Sequence, residues 1–148
     1  MLFRSIQQED FDPGEEIAAL SATNANIGAI ASFIGLVRGD DALTAMTLDH
    51  YPGMSEKEIA GHVAEARRRW PVHAIRVVHR VGRLKPGERI VFVGVASSHR
   101  GAAFEAAEFL MDYLKTRAPF WKLEERPTGA NWVEARAEDD ASVKRWQG

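Results

Sequence analysis

Two rhythms of apolar residues alternate along this chain. Residues 90–96, Ile-Val-Phe-Val-Gly-Val-Ala, are apolar without interruption, the pattern of a central strand covered on both faces. Ile59, Val63, Ala66 and Trp70 recur at helical spacing, as do Phe104, Ala107, Met111 and Leu114. Those two sets predict helices that each bury one face. Residues 74–81 read as a strand, residues 27–37 as a buried strand, and residues 43–50, which alternate, as a strand antiparallel to it. Residues 2–7 fit a short edge strand and residues 120–126 a further one. The last residues, 138–148, are polar apart from Trp146 and read either as a short helix or as a loose tail.

The breaks between these segments have their own chemistry. Asp12-Pro13-Gly14-Glu15 opens a helix to about Ala22: Asp12 caps it, Pro13 suits the first turn, and Glu15 places negative charge at the positive end. Asn24-Ala25-Asn26 breaks it. Ser55, with Glu58 three residues later, forms a capping-box pattern, and Pro71 stops the helix that follows. Lys85-Pro86-Gly87-Glu88 has the composition of a type II turn. Ser97 or Ser98 can cap the helix that Pro119 ends. Thr128-Gly129-Ala130 is a turn before Trp132. The order β-α-β-β-α-β-β-α-β, with short hairpin-like connections, predicts one α+β domain over residues 1–148. It has an antiparallel sheet and flanking helices, and is not a doubly wound sheet.

Composition narrows the chemistry. The 148 residues are 45% hydrophobic and 27% charged, ordinary for a soluble domain with a real core. The chain has no cysteine, which excludes disulfides, thiolate metal sites and a cysteine nucleophile. Its five histidines, His50, His62, His73, His79 and His99, contain no close helical pair of the zinc-motif kind, so no metal or other cofactor is expected. A net charge of −2 disfavours nucleic acid as a partner. No apolar run is long enough to span a bilayer, and the N-terminus lacks a signal peptide's apolar region. A cytoplasmic protein is expected.

Most of the candidate chemistry lies between Ser97 and Lys122. His99 and Arg100 fall in the first turn of the predicted helix, where free amides and the positive dipole end favour an anion. A cation there is mildly disfavoured unless an anion joins it. A phosphate-bearing ligand would resolve that conflict, and so would a carboxylate partner for Arg100. Lys115, Arg117 and Lys122 gather at the other end, where cations suit the negative dipole end. Burial or neighbouring cations would also activate a lysine there as a catalytic amine. Arg38 follows an apolar strand at a Gly-rich turn and either reaches an anion or is solvated. Arg67-Arg68-Arg69 reads as a solvated helix face, His62 as packing beside an apolar stripe, and His50 as a turn-orienting residue. Trp70, Trp132 and Trp146 read as core or interface anchors. Arg100 and Lys115 stand 15 residues apart, about 22 Å along a helix. Either there are two sites, or two copies of the chain bring opposite helix ends together, as a two-fold dimer does.

Longer ordered stretches carry a resemblance. They are Phe33-Ile34-Gly35-Leu36-Val37-Arg38, Leu48-Asp49-His50-Tyr51-Pro52-Gly53-Met54 and His79-Arg80-Val81-Gly82-Arg83-Leu84-Lys85-Pro86-Gly87-Glu88, followed by Val91-Phe92-Val93-Gly94-Val95 and Ser98-His99-Arg100. Ala103-Phe104-Glu105-Ala106, Met111-Asp112-Tyr113-Leu114-Lys115 and Pro119-Phe120-Trp121-Lys122-Leu123-Glu124 complete the set. Together they resemble the large, catalytic subunit of molybdopterin synthase, the MoaE family, over residues 33–136. The resemblance implies an α/β hammerhead fold and a central homodimer that binds a small ubiquitin-like (MoaD-type) sulfur carrier at each end, a heterotetramer. It implies a sulfurtransferase: the carrier's C-terminal Gly-Gly thiocarboxylate delivers sulfur to cyclic pyranopterin monophosphate, giving the dithiolene of molybdopterin. By the same resemblance, Lys115 and Lys122 match the two active-site lysines and Arg38 and Arg136 match pocket arginines. His99 and Arg100 match an anion-binding pair from the neighbouring subunit. Leu123 stands where many members carry a basic residue, which changes the charge of the carrier channel, and the turn at Gly39-Asp40-Asp41 is shorter than usual.

Two other function classes compete at this level. One is a non-catalytic module for a small anion or a protein tail, which the pair Lys115 and Lys122 would separate from an enzyme. The other is a nucleic-acid-binding domain using Arg67–Arg69, which the net charge and the lack of an aromatic–basic surface pattern disfavour.

Overall fold

The computed structural model describes residues 2–22, 24–40, 42–117, 120–133 and 137–147, and of 137–140 the backbone only. The chain runs β1 (Leu2–Gln7), α1 (Pro13–Ser21), β2 (Ala29–Leu36), β3 (Ala45–His50), α2 (Met54–Arg69), β4 (Val72–Arg80), β5 (Gly82–Leu84), β6 (Arg89–Ser97), α3 (Arg100–Thr116), β7 (Phe120–Arg126), β8 (Gly129–Val133) and α4 (Ala137–Lys144). Two four-stranded sheets form, in the orders β1-β4-β6-β2 and β5-β3-β7-β8. The α+β class is borne out.

Alternation along the central strands assigns each face of the first sheet. Ile75 and Val77 of β4 and Val91, Val93 and Val95 of β6 pack beneath α2 and α3, against Ile59, Val63, Ala106, Phe109 and Leu110. The residues between them, Ala74, Val78, Phe92 and Ala96, pack against Phe11 and Leu20 on the α1 side. Strand β6 is therefore covered on both faces, which is why its apolar run is unbroken. Val37, Met46, Leu48 and Leu84 make a smaller core where the second sheet begins.

Several local expectations hold for the reasons given. The Asp12 carboxylate accepts from the amides of Gly14 and Glu15 at 2.8 and 3.3 Å, capping α1. Gly87 has φ 91°, and the Glu88 amide donates to the Lys85 carbonyl at 3.0 Å, a type II turn. Helix α2 ends at Arg69, ahead of Pro71. None of the described helices is long and apolar enough to cross a membrane.

Other expectations are corrected. Strand β2 is an edge of the first sheet, not a buried strand: Phe33, Ile34 and Leu36 are exposed. Strand β3 does not pair with β2 but lies in the second sheet between β5 and β7. Strand β1 is an edge as expected, yet it runs parallel to β4. Two helices lie between β1 and β4, so no tight turn forces their directions to oppose. Ser55 is not the cap of α2. Gly53 is, its amide donating to the Glu56 carboxylate, while the Ser55 hydroxyl is turned inward and accepts from the Tyr51 amide at 3.0 Å. Neither Ser97 nor Ser98 caps α3. His99 occupies that position; Ser97 donates to the Pro71 carbonyl and Ser98 meets His73 Nε2, both at 2.9 Å. The buried face of α3 is formed by Ala103, Ala106, Ala107, Phe109, Leu110 and Leu114, and Phe104 is 64% exposed. The polar C-terminal segment forms a short helix, α4, whose Val143 is buried. Of the tryptophans, Trp70 and Trp146 pack against Phe109, whereas Trp132 is exposed.

One glycine fixes how α3 leaves the sheet. The Gly28 amide donates to the Ser97 carbonyl at 2.9 Å, and a Cβ at Gly28 would come within 2.4 Å of the Ser98 carbonyl oxygen. Only a residue without a side chain lets the loop before β2 cross so close to the start of α3.

Candidate active site

A cavity of about 580 Å³ opens where the two sheets meet beneath the C-terminal end of α3. Its polar wall is built by Arg38, just past β2, by His79 of β4, by Lys115 of α3, and by Lys122 and Glu124 of β7. Phe33, Met111 and Phe120 supply apolar wall. The site thus brings Arg38, distant in sequence, together with Lys115 and Lys122 of the consecutive elements α3 and β7. Lys115 is exposed at the mouth and Lys122 is half-buried, so burial within one copy of the chain does not enclose Lys115. Arg38 is largely exposed and pairs with Asp40 at 3.3 Å. Glu124 is a carboxylate in the wall, and Arg126 holds it at 3.1 Å.

His99 and Arg100 do not reach this cavity. They are exposed at the opposite end of α3. His99 caps the helix by its extended backbone, with no side-chain capping bond. The amides of the first turn therefore have no side-chain acceptor from the cap, which leaves that end receptive to an anion. Arg136, the remaining candidate, lies outside the described residues.

The other histidines divide clearly. His62 packs on the Tyr113 ring at 4.5 Å, and burial pushes its pKa down, as befits a core residue. His50 Nε2 lies 3.5 Å from the Glu56 carboxylate, which also holds the Gly53 amide, so it does orient the turn. Arg68 pairs with Glu65 on an exposed face of α2, as a solvated basic run would, whereas Arg69, also paired with Glu65, reaches the Trp146 carbonyl and lies over the Phe109 ring. No group of described residues is arranged to hold a metal ion.

Unassigned in the sequence reading was His79. It is 8% exposed, stacks on Phe120 at 3.9 Å with 11° between the planes, and hydrogen-bonds the Arg80 carbonyl through Nδ1 at 2.9 Å. Burial pushes its pKa down to about 4. The Arg80 carbonyl opposes that shift, and the charges of Lys115 and His50 add to it. Its signal in the sequence is parity: His79 shares a strand face with Ile75 and Val77, the face that lies under α3.

Comparison with known proteins bears on this geometry. The family model described as MoaE protein matches residues 6–117. The molybdopterin synthase catalytic subunit of Pseudomonas aeruginosa is 53% identical over 145 residues, covering 96% of this chain and 97% of that protein. The protein of the same name from Escherichia coli K12 is 53% identical over 141 residues, covering 93% of each. Among solved structures, the molybdopterin biosynthesis MoaE protein from Burkholderia ambifaria superposes with a TM-score of 0.87 at 54% identity. That match covers 100% of this chain and 99% of the other.

Proposed function

This chain belongs to the MoaE family, and from that premise we propose how its residues divide the work of sulfur transfer. The enzyme acts in molybdenum cofactor biosynthesis, making molybdopterin by transferring sulfur. Relatives are named as catalytic subunits, a name that implies a second subunit. The proposed partner is a small ubiquitin-like carrier whose C-terminal Gly-Gly ends in a thiocarboxylate, and the acceptor is cyclic pyranopterin monophosphate. The setting is taken to be the cytoplasm.

The convergence of Lys115 and Lys122 on one cavity carries this reading. Two ammonium groups favour a thiocarboxylate anion between them, and in a water-poor site that attraction grows. The lysines orient the thiocarboxylate, assist proton transfer and help the intermediate break down. The apolar wall with Phe33 and Met111, beside the free edge of β2, suits an extended tail entering from the carrier. Arg38, at the rim, steers the pterin's charge, and Arg136 is assigned to the same pocket.

His99 and Arg100 complete the site from a second copy. They stand about 22 Å of helix away from Lys115, too far to share one small ligand within a chain. A two-fold dimer sets the anion end of one α3 against the lysine end of the other, and a carrier at each end makes a heterotetramer. The test is direct: purified protein, thiocarboxylated carrier and cyclic pyranopterin monophosphate should yield the dithiolene product. Stable binding of the carrier without product would contradict the enzymatic reading and favour a binding module.

A further inference from the structure

We propose that Glu88, with the turn it closes at residues 85–88, is a positioning residue for Arg38: it holds that guanidinium where the substrate's negative charge enters the cavity. This rests on the reading that Arg38 meets that charge.

One turn fixes the chain on both sides of Arg38. Before it, the Val37 amide donates to the Glu88 carbonyl at 2.9 Å, and the Gly87 amide donates to the Val37 carbonyl at 2.8 Å. After it, Gly39 lies so close to the turn that a Cβ there would come within 3.0 Å of the Pro86 Cβ. Strand β2 shifts its register against β6 between Gly35 and Leu36. Such a bulge re-aims the residues that follow, and the turn takes over their pairing. The Arg38 side chain lines the cavity, pairs with Asp40 at 3.3 Å and is 70% exposed. Little packing of its own holds it, so its reach is set by its backbone.

Glu88 ties that turn to the body of the fold. One carboxylate oxygen accepts from the Lys85 amide at 2.6 Å and the other from Arg80 Nη1 at 3.3 Å. Arg80 is a buried charge, 8% exposed. It also donates to the Gln8 and Arg89 carbonyls, both at 3.0 Å. Asp10 lies 3.9 Å from the same nitrogen and is held more closely by Arg89, at 2.7 Å. Glu88 is the nearer of the two carboxylates. A buried guanidinium is a firm anchor, because moving its partner away leaves a charge uncompensated. The path therefore runs from Arg80 of β4 through the Glu88 carboxylate to the turn, and from the turn's backbone to the residues flanking Arg38.

Steady-state kinetics of the full chain, with thiocarboxylated carrier and varied cyclic pyranopterin monophosphate, tests this. Glu88→Ala should raise KM for the pterin about five- to tenfold and leave kcat within about twofold of the parent. Arg38→Ala should raise the same KM at least as much. The double variant should stay within about twofold of Arg38→Ala, because a positioning residue then has nothing left to position. Effects that multiply would overturn the proposal, since they describe a structural role independent of Arg38. A parental KM in Glu88→Ala, or a loss confined to kcat, would overturn it too. Should Glu88→Ala not fold, Gly87→Ala takes its place. A Cβ there meets nothing within 4 Å, yet φ of 91° strains any side chain, so the turn is disturbed without touching Arg80. The same rise in KM and the same non-additivity are expected, and a parental KM counts against the proposal. Arg38→Ala by itself separates the two claims. An unchanged KM there removes the arginine assignment and the proposal with it; a raised KM beside a parental Glu88→Ala removes the proposal only.

Discussion

Lys115→Ala should bind the carrier as the parent does and lose sulfur transfer by about a hundredfold or more. The expectation follows from where Lys115 sits. It projects from the last turn of α3 into the mouth of the cavity it shares with Lys122 and Arg38. On the proposed reading the carrier would dock over a much larger surface than one side chain, so truncating an exposed lysine should remove little of the binding free energy. In the proposed role, the reacting sulfur would depend on the charge and proton that the ammonium supplies where charge develops. The discriminating measurement is a pair: carrier affinity by titration, and single-turnover product formation. A variant that weakens affinity but, once saturated, turns over at the parent rate would mark Lys115 as a binding residue only.

The second large effect concerns the helix that places it. Phe109→Ala should destabilise the protein by about 3–5 kcal/mol and lower its Tm by roughly 10 °C. The Phe109 ring is 1% exposed and meets Trp70 at 5.3 Å, Tyr113 at 4.7 Å and Trp146 at 5.6 Å, with the Arg69 guanidinium 5.0 Å above it. One side chain thus joins α2, α3 and the C-terminal segment, and its loss leaves a cavity those three elements cannot collapse without moving. Phe104→Ala is the control. Five residues earlier on the same helix and 64% exposed, it should change stability by no more than about 0.5 kcal/mol. Thermal unfolding of both variants checks this; equal losses would mean that the buried face of α3 has been assigned wrongly.

That pair also shows what local pattern conveys and where it stops. The spacing of Phe104, Ala107, Met111 and Leu114 announces the helix but not its orientation. Alanines at 103, 106 and 107 complete a second stripe, and it is these small residues that let α3 approach the sheet closely. A large apolar residue is no proof of burial. The same holds for β2, whose apolar residues were read as core but form a sheet edge. Strand β6 was legible because burial on both faces leaves residues 90–96 without a polar position. The pairing of β3 was not, since one partner that claims it, β7, pairs from His50↔Phe120 to Ala45↔Glu125, far along the chain, and no local signal names it. For the site, Arg38, Lys115 and Lys122 were found through the charges around α3 and the ordered matches, and the fold gathers them. His79 went unassigned because a lone histidine in an apolar strand looks like packing. Only the stacking on Phe120 and the shared cavity give it a second meaning.

The central claim is that each site takes Lys115 and Lys122 from one copy of the chain and its anion-binding helix end, His99 and Arg100, from another. Mixing inactive Lys115→Ala chains with inactive Arg100→Ala chains tests it most directly. Mixed dimers hold one site with both defects and one with neither, so random exchange should restore about a quarter of the parent activity. Activity that stays at the level of the separate variants, with mixed dimers shown to be present, would contradict the claim and place the whole site within a single chain.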